Sequence, residues 1–468
     1  MSVEPLLSKW EVRRLEELSS AIQYGYTAKA TTERLGPKLL RITDIQNDAV
    51  DWDAVPFCEI SPKEIEKYRL GKNDLLFART GATVGKSYLI PGSIPDSVFA
   101  SYLIRVRLLE DVIPKYVAYF FRSLDYWRQI TETQAGIGQP NVNGTKLAQI
   151  KIPVAPLKQQ KLIVAEIEKQ FSRLDEAAAN LKRVKANLKR YKAAVLKAAV
   201  EGRLTEDWRK KHSNVEPASK LFERILTERR AQWNGRGKYK EPAGPETSNL
   251  SLLPRGWTWG TVEQLAAGSF GAIQSGPFGS QLLHSEFVQD GILAIGIDNV
   301  PDGKFSLGRQ HRITPVKFKT LQKFEARPRD VVITVMATVG RVCVLPQVLE
   351  RAIITKHCYR ITPAHGIVDP EFLAIALRAD SSTRQHIFGN VRGQTRPGIN
   401  GSILKAAPVS LPPFAEQKEI VAEVERRLSV IDELEATVEA DFTRADRLRQ
   451  ATLQKAFSGE LLLNGVHR

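Results

Sequence analysis

The 468 residues contain three cysteines, Cys58, Cys343 and Cys358, an odd number without a Cys-x-x-Cys pair, so neither a disulfide framework nor a zinc ribbon is supported. His357 beside Cys358 is the only His/Cys proximity, and adjacent residues of a strand point to opposite faces, which argues against a shared ligand site. No apolar run approaches the roughly 18 residues that cross a bilayer. Met1 to Arg14 carries Glu and Arg early and has no signal-peptide core, so the cytoplasm is the expected location.

Catalytic constellations are missing too. Gly81 to Ser87 (GATVGKS) offers glycines, a lysine and a hydroxyl, but three residues separate its glycines where a phosphate-binding loop needs four. Leu411-Pro-Pro-Phe414 has the Pro-Pro-Phe of a base-methylating site but Leu where a polar group must hold the target amino group; it reads as a stiff exit from a domain into a helix. Metal-dependent cleavage needs clustered carboxylates, and here Asp and Glu lie mainly on helices or singly at turns. Asp369-Pro-Glu371 reads as a helix cap with Pro in the first turn. The chain is expected to bind and not to catalyse, with no catalytic or metal-ligating residue.

What the chain does contain, it contains twice. Pro140, Asn143, Gly144, Pro156, Gln160, Lys161, Glu166, Glu168, Asp175 and Gly202 reappear 257 residues later as Pro397, Asn400, Gly401, Pro413, Gln417, Lys418, Glu423, Glu425, Asp432 and Gly459. Upstream, with small shifts, Asp74 to Lys86 matches Asp330 to Arg341, and Trp10 matches Trp257. So long a period means a domain plus an appended helix, not a solenoid repeat. The copy of the phosphate-loop-like run begins at Met336 and ends at Arg341, without the first Gly and the Lys, so both runs read as a β-turn in a shared scaffold. Hydrophobic residues make up 43% of the chain, enough for more than one core, and 68 Lys+Arg against 52 Asp+Glu give a net charge of +16, which favours a polyanionic partner.

The fold class expected is α+β: two tandem domains joined by two long helices that form an antiparallel coiled coil. The domains span 1–155 and 252–412, the central helix 156–205, a linker with one short helix (Pro217 to Trp233) 206–251, and the distal helix 413–468. β-like runs are Leu39 to Ile45, Asp74 to Arg79 and Val98 to Leu108, then Leu293 to Ile297, Asp330 to Val335 and Ala352 to Ile361. Helices are expected at Ile113 to Thr131 and Pro370 to Phe388. Ile167, Leu174, Leu181, Leu188 and Val195 recur every seven residues, with Ala177, Val184, Tyr191 and Ala198 three places further on; the distal helix answers with Val424, Ile431, Val438 and Ala445, and with Leu434 and Leu448. The central helix region has about eight surplus positive charges and the distal helix about four surplus acids, so the two attract.

Candidate DNA-binding residues cluster at turns whose amide side chains suit adenine edges and whose arginines suit guanine or phosphate. In the first domain they are Gln23, Tyr24, Tyr26, Lys29, Arg79, Thr80, Lys86, Gln139, Asn141, Asn143 and Lys146. In the second they are Gln274, Ser275, Ser280, Gln281, Thr338, Arg341, Arg392, Gln394, Arg396 and Asn400. Turns need Gly and Asn for conformational reasons alone. The functional reading draws on a contrast: helical and hinge positions match between copies while domain interiors diverge.

The helix entries Pro156 to Lys161 and Pro413 to Lys418, the exits Glu201 to Leu204 and Gly459 to Leu461, the run Leu253 to Trp257 and the Gly/Pro/Asn loops together resemble the specificity subunit of type I restriction-modification systems. The resemblance covers nearly all of the chain. It implies a subunit in which each domain reads half of a split double-stranded DNA site and the coiled coil sets the unread spacer. It further implies two methyltransferase subunits that bind S-adenosylmethionine and methylate adenine, and restriction subunits that use ATP and Mg²⁺, the cofactors belonging to those partners. About 45 helical residues at roughly 1.5 Å each span on the order of 70 Å, comparable to two turns of duplex. Lys9-Trp10 against Gly256-Trp257, and Met336 against Gly81, depart from the repeat, so no base contact carries from one copy to the other. A scaffold without nucleic-acid binding and a self-sufficient DNA-modifying enzyme are the alternatives.

Overall fold

The structure, a computed structural model, describes residues 10–46, 48–81, 84–133, 142–231, 238–269, 271–393 and 397–463. It divides into two compact units, residues 1–184 with 437–468, and residues 185–436. Each unit holds one domain, and each domain is closed in the same way. The strand that enters pairs antiparallel with the strand that leaves: Glu11–Arg14 with Lys151–Val154, and Thr258–Thr261 with Pro408–Leu411. A 44-residue helix starts directly after each leaving strand, Leu157–Val200 and Phe414–Phe457.

The centre of each domain is a four-stranded antiparallel sheet. In the first domain its order is Ser19–Tyr24, Leu103–Leu108, Leu75–Ala78, Ser87–Leu89; in the second it is Ile273–Ser275, Cys358–Ile361, Val331–Thr334, Val342–Val344. The inner strands Leu75–Ala78 and Val331–Thr334 are buried throughout, which is why they read as continuous apolar runs. A second, smaller sheet is built on a parallel pair, Lys38–Leu40 with Ser97–Phe99, and Ile292–Ile295 with Ala352–Ile354; in the second domain His311–Ile313 and Glu325–Ala326 extend it to four strands. Arg105 and Asp74, both almost fully buried, lie 3.5 Å apart in the large sheet of the first domain, and Arg360 and Asp330 lie 3.7 Å apart in the second. Burial pushes both arginines below and Asp330 above their ordinary pKa values.

Three expectations change. Val98 to Leu108 and Ala352 to Ile361 are each two strands in different sheets, broken at Ala100–Tyr102 and Thr355–His357 by turns in which Leu103 N donates to Ala100 O (2.9 Å) and Cys358 N to Thr355 O (3.0 Å). Strands on both sides of the break are buried, so hydrophobicity carries no mark of the change of sheet. Leu39 to Ile45 shortens to Lys38–Leu40 because Asp44 caps a 3₁₀ turn, its carboxylate accepting from Arg41 N at 2.8 Å. The helices expected at Ile113 to Thr131 and Pro370 to Phe388 are two each, Pro114–Phe120 with Leu124–Thr133, and Pro370–Ala379 with Ser381–Gly389. Asp380 starts the last of these by accepting from Ser382 N and Thr383 N (2.9 and 3.1 Å), a capping role that a mid-helix Asp hides in the sequence.

The long helices pair within each unit. In the first, Gln170 and Asp175 meet Thr452 and Arg449, so the segments run antiparallel. In the second, Lys192 meets Asp432 at 2.9 Å, and the buried hydroxyl of Thr205, past the end of one helix, donates to Glu416 at the start of the other, again antiparallel. Ile167, Val195, Val424, Ile431, Val438 and Ala445 are buried, and Leu174, Leu181 and Leu188 half-buried. The companion row differs from the expectation. Ala177, Val184, Tyr191, Leu434 and Leu448 are exposed and Ala198 half-buried, and the row four places on from the first is the better covered one: Phe171, Ala178, Lys192 and Ala199, with Lys185 exposed between them, and Leu428, Glu435, Phe442 and Arg449. Apolar residues recur every seven on both sides of the first row; the inward side contains long polar side chains, Lys192, Glu435 and Arg449, that a count of apolar residues rejects. In the linker, Ala218–Ala231 is helical and buries Leu221 and Ile225 in the second unit.

Candidate nucleic-acid interface

Several matching residues of the repeat hold the framework. Gln160 and Gln417 are buried at the helix entries, where their side-chain oxygens accept from the cap residues of a domain helix, Ile113 N (2.9 Å) and Asp369 N (2.7 Å). Their amide nitrogens donate to Ala155 O and to Pro412 O. The indole of Trp10 donates to Gln159 and that of Trp257 to Glu416, one position earlier on the same helices. Asn143 and Asn400 cap short helices, their Oδ1 accepting from Lys146 N (2.8 Å) and Ile403 N (3.0 Å).

The breaks between sheets organise the surface above this framework. In the first domain Arg79, at the mouth of the hairpin turn, donates its N–H to Tyr102 O (3.1 Å) and accepts from Val142 N (3.0 Å). In the second, Val335 makes the same pair of bonds with His357 O (2.8 Å) and Ile399 N (3.0 Å). Three segments far apart in sequence thus meet twice: the hairpin turn, the break between sheets, and the end of the Gly/Pro/Asn loop.

In the first domain the meeting point collects much of the predicted set. The Tyr24 ring lies 4.9 Å from the Arg79 guanidinium, and its hydroxyl accepts from Gly144 N at 2.7 Å. Tyr26 O accepts from Ser101 N, and Tyr26 shares with Tyr102, Thr27, Thr43 and Arg41 a cleft of about 480 Å³. Lys29, Lys86, Asn143 and Lys146 are exposed and Thr80 half-buried. Gln23 is turned to the framework: it accepts from the buried Arg105 at 2.6 Å and donates to Lys67 O. Tyr102, with 62% of its surface exposed, was absent from the expected set. It occupies the strand break, whose only sequence mark is that Ser101-Tyr102 stands where the second copy has Lys356-His357.

In the second domain Arg392 and Gly398 exchange backbone hydrogen bonds, and Ala337 N donates to Pro397 O, so Arg392, Thr338 and Asn400 share a neighbourhood. Arg341 is exposed beside Gly340, whose φ of 87° turns the hairpin. Ser275 pairs with Tyr359, and the Tyr359 hydroxyl lies where a Cβ on Gly401 would come within 2.8 Å, so Gln274 and Ser275 border the same loop. The Gln274 amide donates to Ser275 O. Ser280 and Gln281 sit on an exposed turn that Gln281 closes by accepting from Phe278 N. Gln139, Asn141, Gln394 and Arg396 lie outside the described residues. Among the described residues no group of three or more His, Cys, Asp and Glu could hold a metal ion, and no helix is long and apolar enough to cross a membrane.

Two domains of one framework, each carrying a polar and aromatic loop surface and each continuous with a long helix, define a recognition subunit with tandem domains. The sequence profile of the type I restriction modification DNA specificity domain matches residues 7–190 and 305–440, and the chain belongs to that family. It is a DNA-recognition subunit; the family supplies specificity and not catalysis. It is 27% identical to the EcoKI specificity subunit of Escherichia coli K12 over 90% of this chain and 82% of that protein, and 25% identical to the EcoBI subunit of Escherichia coli over 76% and 68%. It is 22% identical to the MjaVIII specificity subunit of Methanocaldococcus jannaschii over 98% and 94%. Two solved structures share the fold at 19% identity: a chain from a study of complex assembly in the type I R-M system (TM-score 0.68, 97% of this chain and 99% of that one), and the HsdS subunit of Thermoanaerobacter tengcongensis (0.53, 97% and 98%).

Proposed function

We propose that the first domain reads one half of a split, asymmetric DNA site and the second domain the other, with the paired helices fixing the spacer between them. The single observation that carries this reading is the contrast between copies: Arg79–Tyr102–Val142 and Val335–His357–Ile399 make the same backbone bonds and present different side chains. Lys29, Lys86, Arg341 and Arg392 supply exposed charge for the phosphates, which fix register without reading sequence. The helices dock two methyltransferase subunits. Support comes from the exposed apolar row, Val184 and Leu448 in the first unit and Tyr191 and Leu434 in the second, each 43–50% exposed. S-adenosylmethionine, ATP and Mg²⁺ belong to these methyltransferase subunits and to two restriction subunits, this chain binding none, and the complex works in the cytoplasm.

The test is a genome-wide map of methylated adenine with this gene intact and deleted. Loss of methylation from one split motif on both strands is expected. An unchanged map, with no salt-dependent DNA affinity of the chain and its methyltransferase, would return it to a scaffold.

A further inference from the structure

We infer that Arg79 determines specificity in the first domain by reading the edge of a guanine, an inference that rests on the DNA-reading assignment above. Arg79 is half-buried, its Nε is enclosed without a hydrogen-bond partner, and no carboxylate pairs with it among the described residues. Arg105 of the same domain also has an enclosed Nε without a partner, but its terminal nitrogens are committed: it has Asp74 at 3.5 Å and donates to Arg69 O, Lys67 O and Gln23. Half-buried and without a carboxylate partner among the described residues, the Arg79 guanidinium has donors to offer a ligand that brings acceptors to it.

The geometry selects the ligand. The Arg79 backbone is tied on both sides, to Tyr102 and Val142, and its guanidinium lies against the Tyr24 ring, which Gly144 N holds through the hydroxyl. A planar donor fork held in one orientation matches the two coplanar acceptors of guanine, O6 and N7. A phosphate also accepts such a fork, but the exposed Lys29 and Lys86 supply that contact without it. Tyr24 is the positioning residue. In the second domain the same backbone position is Val335, 1% exposed, so this contact exists in one half-site alone.

The experiment uses the full chain in complex with its methyltransferase subunits. The wild-type motif is first read from methylated adenines; competition binding then uses duplexes in which each base pair of the motif is changed in turn. Arg79→Lys keeps the charge and removes the fork. It is expected to lose roughly 10- to 100-fold of discrimination at one G·C pair of one half-site, leaving the other half-site unchanged. Tyr24→Phe, which keeps the ring and frees it from Gly144, is expected to relax the same pair by a smaller factor. Equal weakening on every duplex, or unchanged discrimination at all positions, would overturn the inference. Retained preference for the second half-site shows that the variant is folded. A wild-type complex without any split motif would instead refute the DNA-reading assignment itself.

Discussion

The two domains agree in the framework that joins domain to helix and differ where the three loops meet. Both carry a buried arginine–aspartate pair, a glutamine that joins helix entry to a domain helix, a tryptophan on the preceding position and an asparagine cap. At the meeting of the three loops the first domain has Arg79, Tyr24 and Tyr102, and the second has Val335, Tyr359 and His357. Shared residues are therefore a poor guide to base contacts in this chain. Asn143 and Asn400, matched in the repeat and suited by chemistry to an adenine, use their oxygens as helix caps, while Arg79 has no counterpart.

The framework half of this comparison can be broken by removing matched residues in pairs. Asp330→Ala strands Arg360, whose remaining side-chain partner is Thr362, and is expected to cost about 3–5 kcal/mol in urea denaturation. Asp74→Ala also releases Arg107, whose Nε donates to Asp74 at 2.9 Å, but Arg107 reaches solvent and Arg105 keeps Gln23 and two backbone carbonyls, so the expected cost is roughly 1 kcal/mol less. Equal losses would show that the carbonyls do not stabilise the buried charge.

Within the coiled segments, Ile431→Ala is expected to cost about 2–4 kcal/mol and Leu434→Ala under about 0.5 kcal/mol in the same assay. Ile431 is 1% exposed and Leu434 47%. Similar costs would restore the row three places on. Gln417→Ala, which frees Asp369 N and the carbonyls of Ile367 and Pro412, is expected to cost about 2–3 kcal/mol, and Gln160→Ala, with two partners, nearer 2 kcal/mol.

The smallest effect is acid-dependent. Hydrogen bonds from Arg426, and less so from Arg427, hold the Glu423 carboxyl at about 2. Its folded pKa is below the unfolded value, so its contribution is complete above the ordinary carboxylate range and fades as pH falls from there toward about 2. Arg426 is exposed and Glu423 and Arg427 are half-buried at the surface, where solvent screening keeps the effect under about 1 kcal/mol. Glu423→Gln is expected to flatten that part of the stability–pH curve and to leave stability at neutral pH lower by the same small amount. A parallel curve would remove the pair from the account.

Duplication, fold class and long helices were legible because they leave periodic marks: matched residues 257 apart and apolar positions every seven. The sheet break at Tyr102 and His357 was not, since buried strands on either side look like one run. The inward row of the coil was misplaced because Lys192, Glu435 and Arg449 cover it with long polar side chains. Of the candidate surface, the turns were visible as Gly, Asn and Pro, but their convergence is a property of the backbone bonds at Arg79 and Val335. Whether an amide faces a base or caps a helix depends on those bonds and not on its identity, as Gln23 and Asn143 show.

The most direct test of the comparison is to replace residues 257–412 by a second copy of residues 10–155, joining at the shared tryptophan and at the helix entry, and to map methylated adenines made by the complex with its methyltransferase. If the framework is common and the loops alone carry the reading, the methylated motif will be split and built from two copies of the first half-site. Persistence of the original second half-site would contradict the account.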